Sequence, residues 1–274
     1  PPPFFFYPPT PESPILSGLV GSEMCIRDRF MTYCLGIKVN EGLVFASDSR
    51  TNAGLDNVGS YSKMFTYNVG DRAFVIMTAG NLATSQAVYH RIQKDLDSSS
   101  PNNNLNLCQD LEEAAEYIGE ISLECQKVGS EAPLQESPQL GSSFILGGQI
   151  KNQSPNIILI YPEGNHIHVS DDSPFVQIGE TKYGKPILDR TITADTPLGD
   201  TARAALLSLD STMRSDLTVG PPIDFVVFKK DQINLDFQDR LKLDSPFFQQ
   251  FSNIWHDELL KAINHLPRFN WEDA

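Results

Sequence analysis

The chain has 274 residues, 40% of them hydrophobic, with 21 Lys and Arg against 35 Asp and Glu for a formal net charge of −14. That balance excludes a nucleic-acid binder, which needs clustered cations to neutralise phosphates. No run approaches the roughly 18–20 apolar residues of a membrane-spanning helix, so a soluble protein is expected.

Residues 1–30 fit no targeting class. A secretory signal needs a positively charged start and an apolar core of about 7–15 residues. Here no charge precedes Glu12, and Pro2, Pro3, Pro8, Pro9, Pro11 and Pro14 break any helix. SPILSGLVGSEMCIRDR resembles translated sequencing-adapter sequence. Residues 1–30 are therefore read as a non-native leader and Met31 as the native start, with a removed propeptide as the alternative. Residues 31–274 suffice for one large domain with a full sandwich core. Cys34, Cys108 and Cys125 lack CxxC spacing. They indicate neither a disulfide framework nor a zinc site, which suits a reducing cytoplasm.

In chain order, Tyr33–Val39 and Leu43–Ser49 read as a strand pair joined by the turn Asn40-Glu41-Gly42. A polar loop follows, then the apolar strand Ala73–Thr78. After Gly80-Asn81, the residues Leu82, Ala83, Gln86, Ala87, Tyr89 and Ile92 recur near the helical period. Ser98–Asn104 is a loop, and an acidic helix runs from about Gln109 to Gln126. Strands are expected at Ser143–Leu146, Asn156–Tyr161, His166–Ser170 and Phe175–Ile178, helices at Tyr183–Arg190 and Asp200–Ser215, and a strand at Ile223–Phe228. Strands, two helices, strands, two helices and a strand pack most economically as an α+β four-layer αββα sandwich. From Phe247 the tail places Phe251, Ile254, Trp255, Leu259 and Ile263 on one helical stripe. That stripe packs on its own domain or on another subunit.

Chemistry concentrates near Met31. Thr32 follows it directly, and a small residue after Met permits removal of the initiator. The freed α-amine would be a built-in base for the Thr32 hydroxyl, with an ordinary pKa of about 7.7–8.0. A nearby Lys63 ammonium would disfavour protonation of that amine, and Asp48 would hold Lys63 charged and in place. Gly80 would let a backbone N–H approach the substrate as an oxyanion donor. Three other features are read blandly. Ser47-Asp48-Ser49-Arg50 is a turn after a strand. His166 and His168 are surface strand residues without a third ligand at zinc spacing. Gly147-Gly148 and Gly220-Pro221-Pro222 are isolated turns.

Thr32, Asp48, Lys63 and Thr78-Ala79-Gly80 together resemble the proteasome-type N-terminal-nucleophile (Ntn) hydrolases. Within them the chain is similar to the bacterial proteasome-like family called Anbu, through TYCLGIKVNEGLVFASDSRTNAG, SKMF, TAGNLA, QIGETKYGKPILDR and SDLTVGPPIDF. The likeness runs from Met31 to about Lys242, leaving residues 243–274 as a helical extension. It implies a cytoplasmic threonine peptidase or amidohydrolase working through an acyl-enzyme on Thr32, without metal or organic cofactor. It also implies a homo-oligomer, ring-like or open and helical, with the need for an unfoldase partner left open. By the same resemblance Asp216 is a supporting aspartate, and Thr51, Thr78 and Leu82 border the substrate. Two departures stand out: Gly179-Glu180-Thr181 replaces a common Gly-Ser-Gly turn, and Val219 replaces a common serine. Glu180 either accepts a hydrogen bond from the Thr32 amine or caps the following helix. The rival readings are a catalytically silent structural subunit and an amidase for a small or modified peptide.

Overall fold

The structure, a computed structural model, describes residues 32–52, 58–97, 104–130, 140–235 and 237–272. The expected leader, Met31 and most of the Ser98–Asn104 loop lie outside them. Two five-stranded antiparallel sheets carry the molecule. The first has the order β10-β1-β2-β11-β12, from β1 (Tyr33–Val39), β2 (Gly42–Ser47), β10 (Phe175–Gly179), β11 (Ile223–Lys229) and β12 (Phe237–Leu241). The second has the order β5-β6-β7-β8-β9, from β5 (Met64–Val69), β6 (Arg72–Gly80), β7 (Ser142–Ile150), β8 (Asn156–Ile160) and β9 (His166–His168). A short pair, β3 (Arg50–Asn52) and β4 (Val58–Ser60), stands apart. The helices are α1 (Leu82–Asp97), α2 (Leu111–Ser130), α3 (Lys185–Thr191), α4 (Leu198–Ser215) and α5 (Pro246–Asn264).

Side-chain alternation along the strands builds three apolar layers. On β1, Tyr33, Leu35 and Ile37 join Leu188 of α3 and Ala205 and Leu209 of α4. On the opposite face, Cys34 meets Phe45, Val75, Met77, Ile145 and Ile157 between the sheets. On β6 the outward Phe74 and Ile76 pack with Val88 and Ile92 of α1 and Ile118 of α2. The result is the αββα order expected. Each fully buried large apolar side chain contributes about 1.5–3 kcal/mol, and these strands are buried on both faces, which is why they read as near-continuous apolar runs. The sheets are in close contact where the Phe45 ring lies on Gly147: a Cβ at position 147 would reach the ring at 2.5 Å.

Several sequence expectations need correcting. Gly147-Gly148 is no turn but lies inside β7, where Gly147 makes room for Phe45 and Gly148 takes φ +150° against the Ala73 carbonyl. The polar loop after Ser49 contains β3 and β4 and is followed by β5, whose outer half is exposed and carries no apolar run. β12 was not anticipated, since FQDRL is exposed except at Leu241. Folding also supplies the third neighbour that His166 and His168 lack in sequence, the Glu112 carboxylate of α2. Among the described residues no helix is long and apolar enough to cross a membrane.

Candidate active site

Thr32 immediately precedes β1 and is 8% exposed. It is held on the β10 side, where its carbonyl accepts from the Glu180 N–H at 2.7 Å. Gly179 makes that approach possible. It sits at φ +86°, and a side chain there would collide with the Thr32 carbonyl oxygen.

On the other side stands Asp48, just past β2 and fully buried. Its Oδ1 receives two donors: Lys63 Nζ at 2.7 Å and the Tyr33 N–H at 3.0 Å. The Lys63 ammonium is therefore tied to the peptide that begins one residue after Thr32. Oδ2 accepts from the Arg50 N–H at 3.3 Å and the Gly220 N–H at 3.2 Å. Burial pushes the Asp48 carboxyl above its ordinary value of 3.8, while the Lys63 ammonium and the backbone donors pull it down. Lys63 precedes β5 and is 6% exposed. Its carbonyl accepts from the Thr78 N–H at 3.0 Å, which draws the end of β6 alongside.

Around this pair lies a support that the sequence reading missed. Asp224, in the apolar run of β11, accepts from Ser49 Oγ at 3.0 Å, Ser62 Oγ at 2.8 Å and Arg240 Nη1 at 2.9 Å. Ser49 and Ser62 adjoin Asp48 and Lys63 in the chain, so one carboxylate fixes both backbones. A lone aspartate inside Ile223–Phe228 was the available signal, because a carboxylate in such a run needs partners. Gly220 was missed likewise. Besides its bond to Asp48, its carbonyl accepts from the Ser49 and Arg50 N–H groups at 3.2 and 3.1 Å.

The remaining candidates fall around this centre. Gly80 ends β6 exposed, with φ +127°, and a Cβ there would meet the Gly141 carbonyl oxygen at 2.5 Å. Asn81 follows as the N-cap of α1, its Oδ1 accepting from the Thr84 N–H at 3.1 Å. Thr78 is buried and its hydroxyl bonds Ser85 Oγ at 2.8 Å, so it is held inward. Leu82 opens α1 at 37% exposure, and Thr51 lies on β3 with a buried hydroxyl lacking a partner among the described residues. Glu180 Oε1 accepts from the Lys182 N–H at 2.8 Å, within the turn before α3, and so does not cap that helix, whose N-cap Gly184 receives no side-chain bond. Asp216 ends α4, accepting from the Thr218 N–H at 2.8 Å and hydroxyl at 2.7 Å. It thereby shapes the turn leading to Gly220, whose N–H donates to Asp48. Cys34, beside Tyr33, is a poor rival nucleophile, because complete burial raises its thiol and Sγ donates to the Thr78 carbonyl at 3.5 Å.

A groove of about 980 Å³ contains none of these residues; it lies by α4 and β12, lined by Leu198, Leu206, Phe225, Phe237 and Phe247 among others. Thr32, Asp48 and Lys63 instead gather where the start of β1 and the end of β2 in one sheet adjoin the start of β5 and the end of β6 in the other.

The family model described as "Proteasome subunit" matches residues 32–228. Among solved structures, Anbu (ancestral beta-subunit) from Yersinia bercovieri is 38% identical, with TM-score 0.82, covering 87% of this chain and 99% of that one. Anbu from Hyphomicrobium sp. strain MC1 is 40% identical, TM-score 0.80, covering 87% and 100%. A structure described as the helical assembly of the Anbu complex from Pseudomonas aeruginosa is 41% identical, TM-score 0.82, covering 87% and 98%. Among curated proteins no match was found.

Proposed function

Because this chain belongs to the proteasome subunit family, in its Anbu branch, we propose that it is a threonine amidohydrolase cleaving peptide or other amide bonds through an acyl-enzyme on Thr32. The observation that carries this reading is the shared oxygen of Asp48, which bonds Lys63 Nζ at 2.7 Å and the Tyr33 N–H at 3.0 Å. Asp48 thus links a buried ammonium to the peptide of Thr32, the residue that this reading makes the N-terminus.

Once Thr32 is freed from Met31, its hydroxyl oxygen attacks the amide carbonyl carbon while its proton passes to the α-amine. The Lys63 charge keeps that amine unprotonated before attack, and Asp48 holds the lysine. The tetrahedral oxyanion is stabilised by the Gly80 N–H; one such donor is worth about 2.7–4 kcal/mol of barrier. Collapse expels the leaving amine with the proton, and water then hydrolyses the ester with the α-amine again as base. Thr51 and Leu82 border the substrate, Thr78 backs that wall from inside through its bond to Ser85, and Glu180 and Asp216 shape the turns beside it. The chemistry uses no metal or organic cofactor. The protein works in the cytoplasm as a self-assembled oligomer, ring-like or helical; the helical assembly of the Pseudomonas aeruginosa relative supports the second geometry.

The test is an intact mass spectrum of protein expressed from Met31, before and after a peptide epoxyketone, which needs both the hydroxyl and the amine. The expected result is a chain beginning at Thr32 that gains one adduct. Thr32→Ala should lose the adduct and lower turnover by at least about 10³-fold with unchanged circular dichroism; wild-type turnover in that variant overturns the mechanism. A silent structural subunit is the second reading, favoured by the engagement of Glu180 with the Lys182 N–H in place of a terminal amine. A correctly started chain that takes no label and hydrolyses nothing would support it.

A further inference from the structure

Away from this site, α2 runs along the β8–β9 hairpin and touches it with residues seven apart. Seven residues are two helical turns, so these positions share one face. Glu112 Oε1 lies 3.7 Å from His166 Nε2. Gly119 sits so close to the hairpin turn that a side chain there would strike the Gly164 carbonyl oxygen. Gln126 Nε2 donates to the Pro162 carbonyl at 2.8 Å. The close approach at Gly119 leaves the helix little slack, and the Glu112 carboxylate is delivered to β9 by the fold itself.

His166 and His168 are two apart on β9 and so face the same side of the hairpin. Their rings stand edge to face with centroids 6.0 Å apart. One ligand atom from each of Glu112, His166 and His168 lies within 4.8 Å of the other two. We infer that these three side chains form a surface site for a divalent transition metal, in which two imidazoles and one carboxylate hold the ion and solvent completes the shell.

The ligand chemistry selects the metal. Two imidazoles favour Zn²⁺, Ni²⁺ or Cu²⁺ over Mg²⁺ and Ca²⁺, which prefer all-oxygen shells. In a zinc tetrahedron with bonds of about 2.0–2.2 Å, ligand atoms stand about 3.3 Å apart. The Glu112–His166 separation is already close to that, and His168 closes the remainder by side-chain torsion at an exposed position. Asn156 supplies the outer contact that such a histidine uses, its amide lying 3.1 Å from His168 Nδ1. As placed, the Asn156 Nδ2 faces Nδ1; an end-for-end turn of the amide, which exchanges its O and N, would bring the carbonyl oxygen to an Nδ1–H and leave the Nε2 lone pair free for the ion. That oxygen is buried and otherwise without a partner among the described residues. The bland alternative, a Glu112–His166 ion pair, is worth little at an exposed site and gives His168 no role. A bound ion would instead staple the first turn of α2 to β9.

The experiment is calorimetric titration of the chelator-treated full chain with Zn²⁺, and with Co²⁺ as a visible-spectrum reporter. One equivalent should bind. His168→Asn and Glu112→Gln should each weaken it at least about 10-fold, and His166→Asn/His168→Asn should abolish it. Thr32→Ala and His256→Asn should leave it intact, which separates this site from the chain start and from the other histidines. No binding, or equal affinity in the double variant, overturns the inference. If a histidine variant does not fold, carbethoxylation of the unmutated chain decides. Zn²⁺ should protect His166 and His168 together, and equal modification with and without the ion overturns the inference.

Discussion

Asp48 and Lys63 are a buried ion pair, so their energetics and their chemistry make separable predictions. Lys63→Met leaves a carboxylate without its countercharge in a buried site, and should cost about 3–5 kcal/mol, read by chemical denaturation. Asp48→Asn/Lys63→Met removes both charges and should recover most of that loss while remaining inactive. Its pH dependence follows from the direction of the Asp48 shift. Burial raises the folded carboxyl above 3.8, so the folded chain holds this proton more tightly than the unfolded one. The stability contributed is full below the unfolded pKa and is lost as pH rises through the folded pKa. The double variant's stability relative to wild type should therefore climb as pH rises from about 4 toward neutrality; a flat difference would count against a raised Asp48. At this scale the pairing of Asp48 with Lys63 beside Thr32 was legible, because a carboxylate and an ammonium of these types suit one proposed chemistry. Asp224, Ser49, Ser62 and Gly220 were not, since what they do is hold backbones that only the fold brings together.

Among the elements, the end of β10 bears most directly on the nucleophile. Gly179 is at φ +86° with the Thr32 carbonyl oxygen where a side chain would go. Gly179→Ala should cost about 1–3 kcal/mol in backbone strain and push Thr32 out of line. Labelling by the epoxyketone should then slow by more than about 10-fold; labelling at the wild-type rate would show that β10 does not position Thr32. The buried strands β1, β2, β6, β8 and β11 could be read from sequence because both of their faces are covered. β5 and β12 could not, because their exposed residues neither form an apolar run nor alternate cleanly, and their pairing comes from β6 and β11. The Gly147-Gly148 pair misled for a related reason: a glycine that makes room across a sandwich looks the same in sequence as one that makes a turn.

For the whole molecule, the unpaired surface is concentrated on α5. Phe248 and Phe251 pack onto the first apolar layer, whereas Ile254 is 53% and Ile263 62% exposed. The first turns serve the domain, which is one of the two readings of the tail, and the later ones face outward. If the oligomer proposed here uses that stripe, Ile254→Asp/Ile263→Asp should lower the sedimentation mass while leaving the melting temperature of the subunit within a few degrees. An unchanged mass would remove α5 from the assembly. The four-layer architecture was legible because the order of strands and helices admits few packings.

The contact between Phe45 and Gly147 joins the two halves of that architecture, and it makes the two positions a lock and its keyhole. Neither can drift alone: a larger residue at 147 strikes the ring, and a smaller one at 45 opens a void of the kind that costs about 3–5 kcal/mol. Across relatives that retain this sandwich, the two positions should therefore change in step, bulk lost on one sheet reappearing on the other. Their paired variation would be a record of how closely each lineage has kept its sheets pressed together.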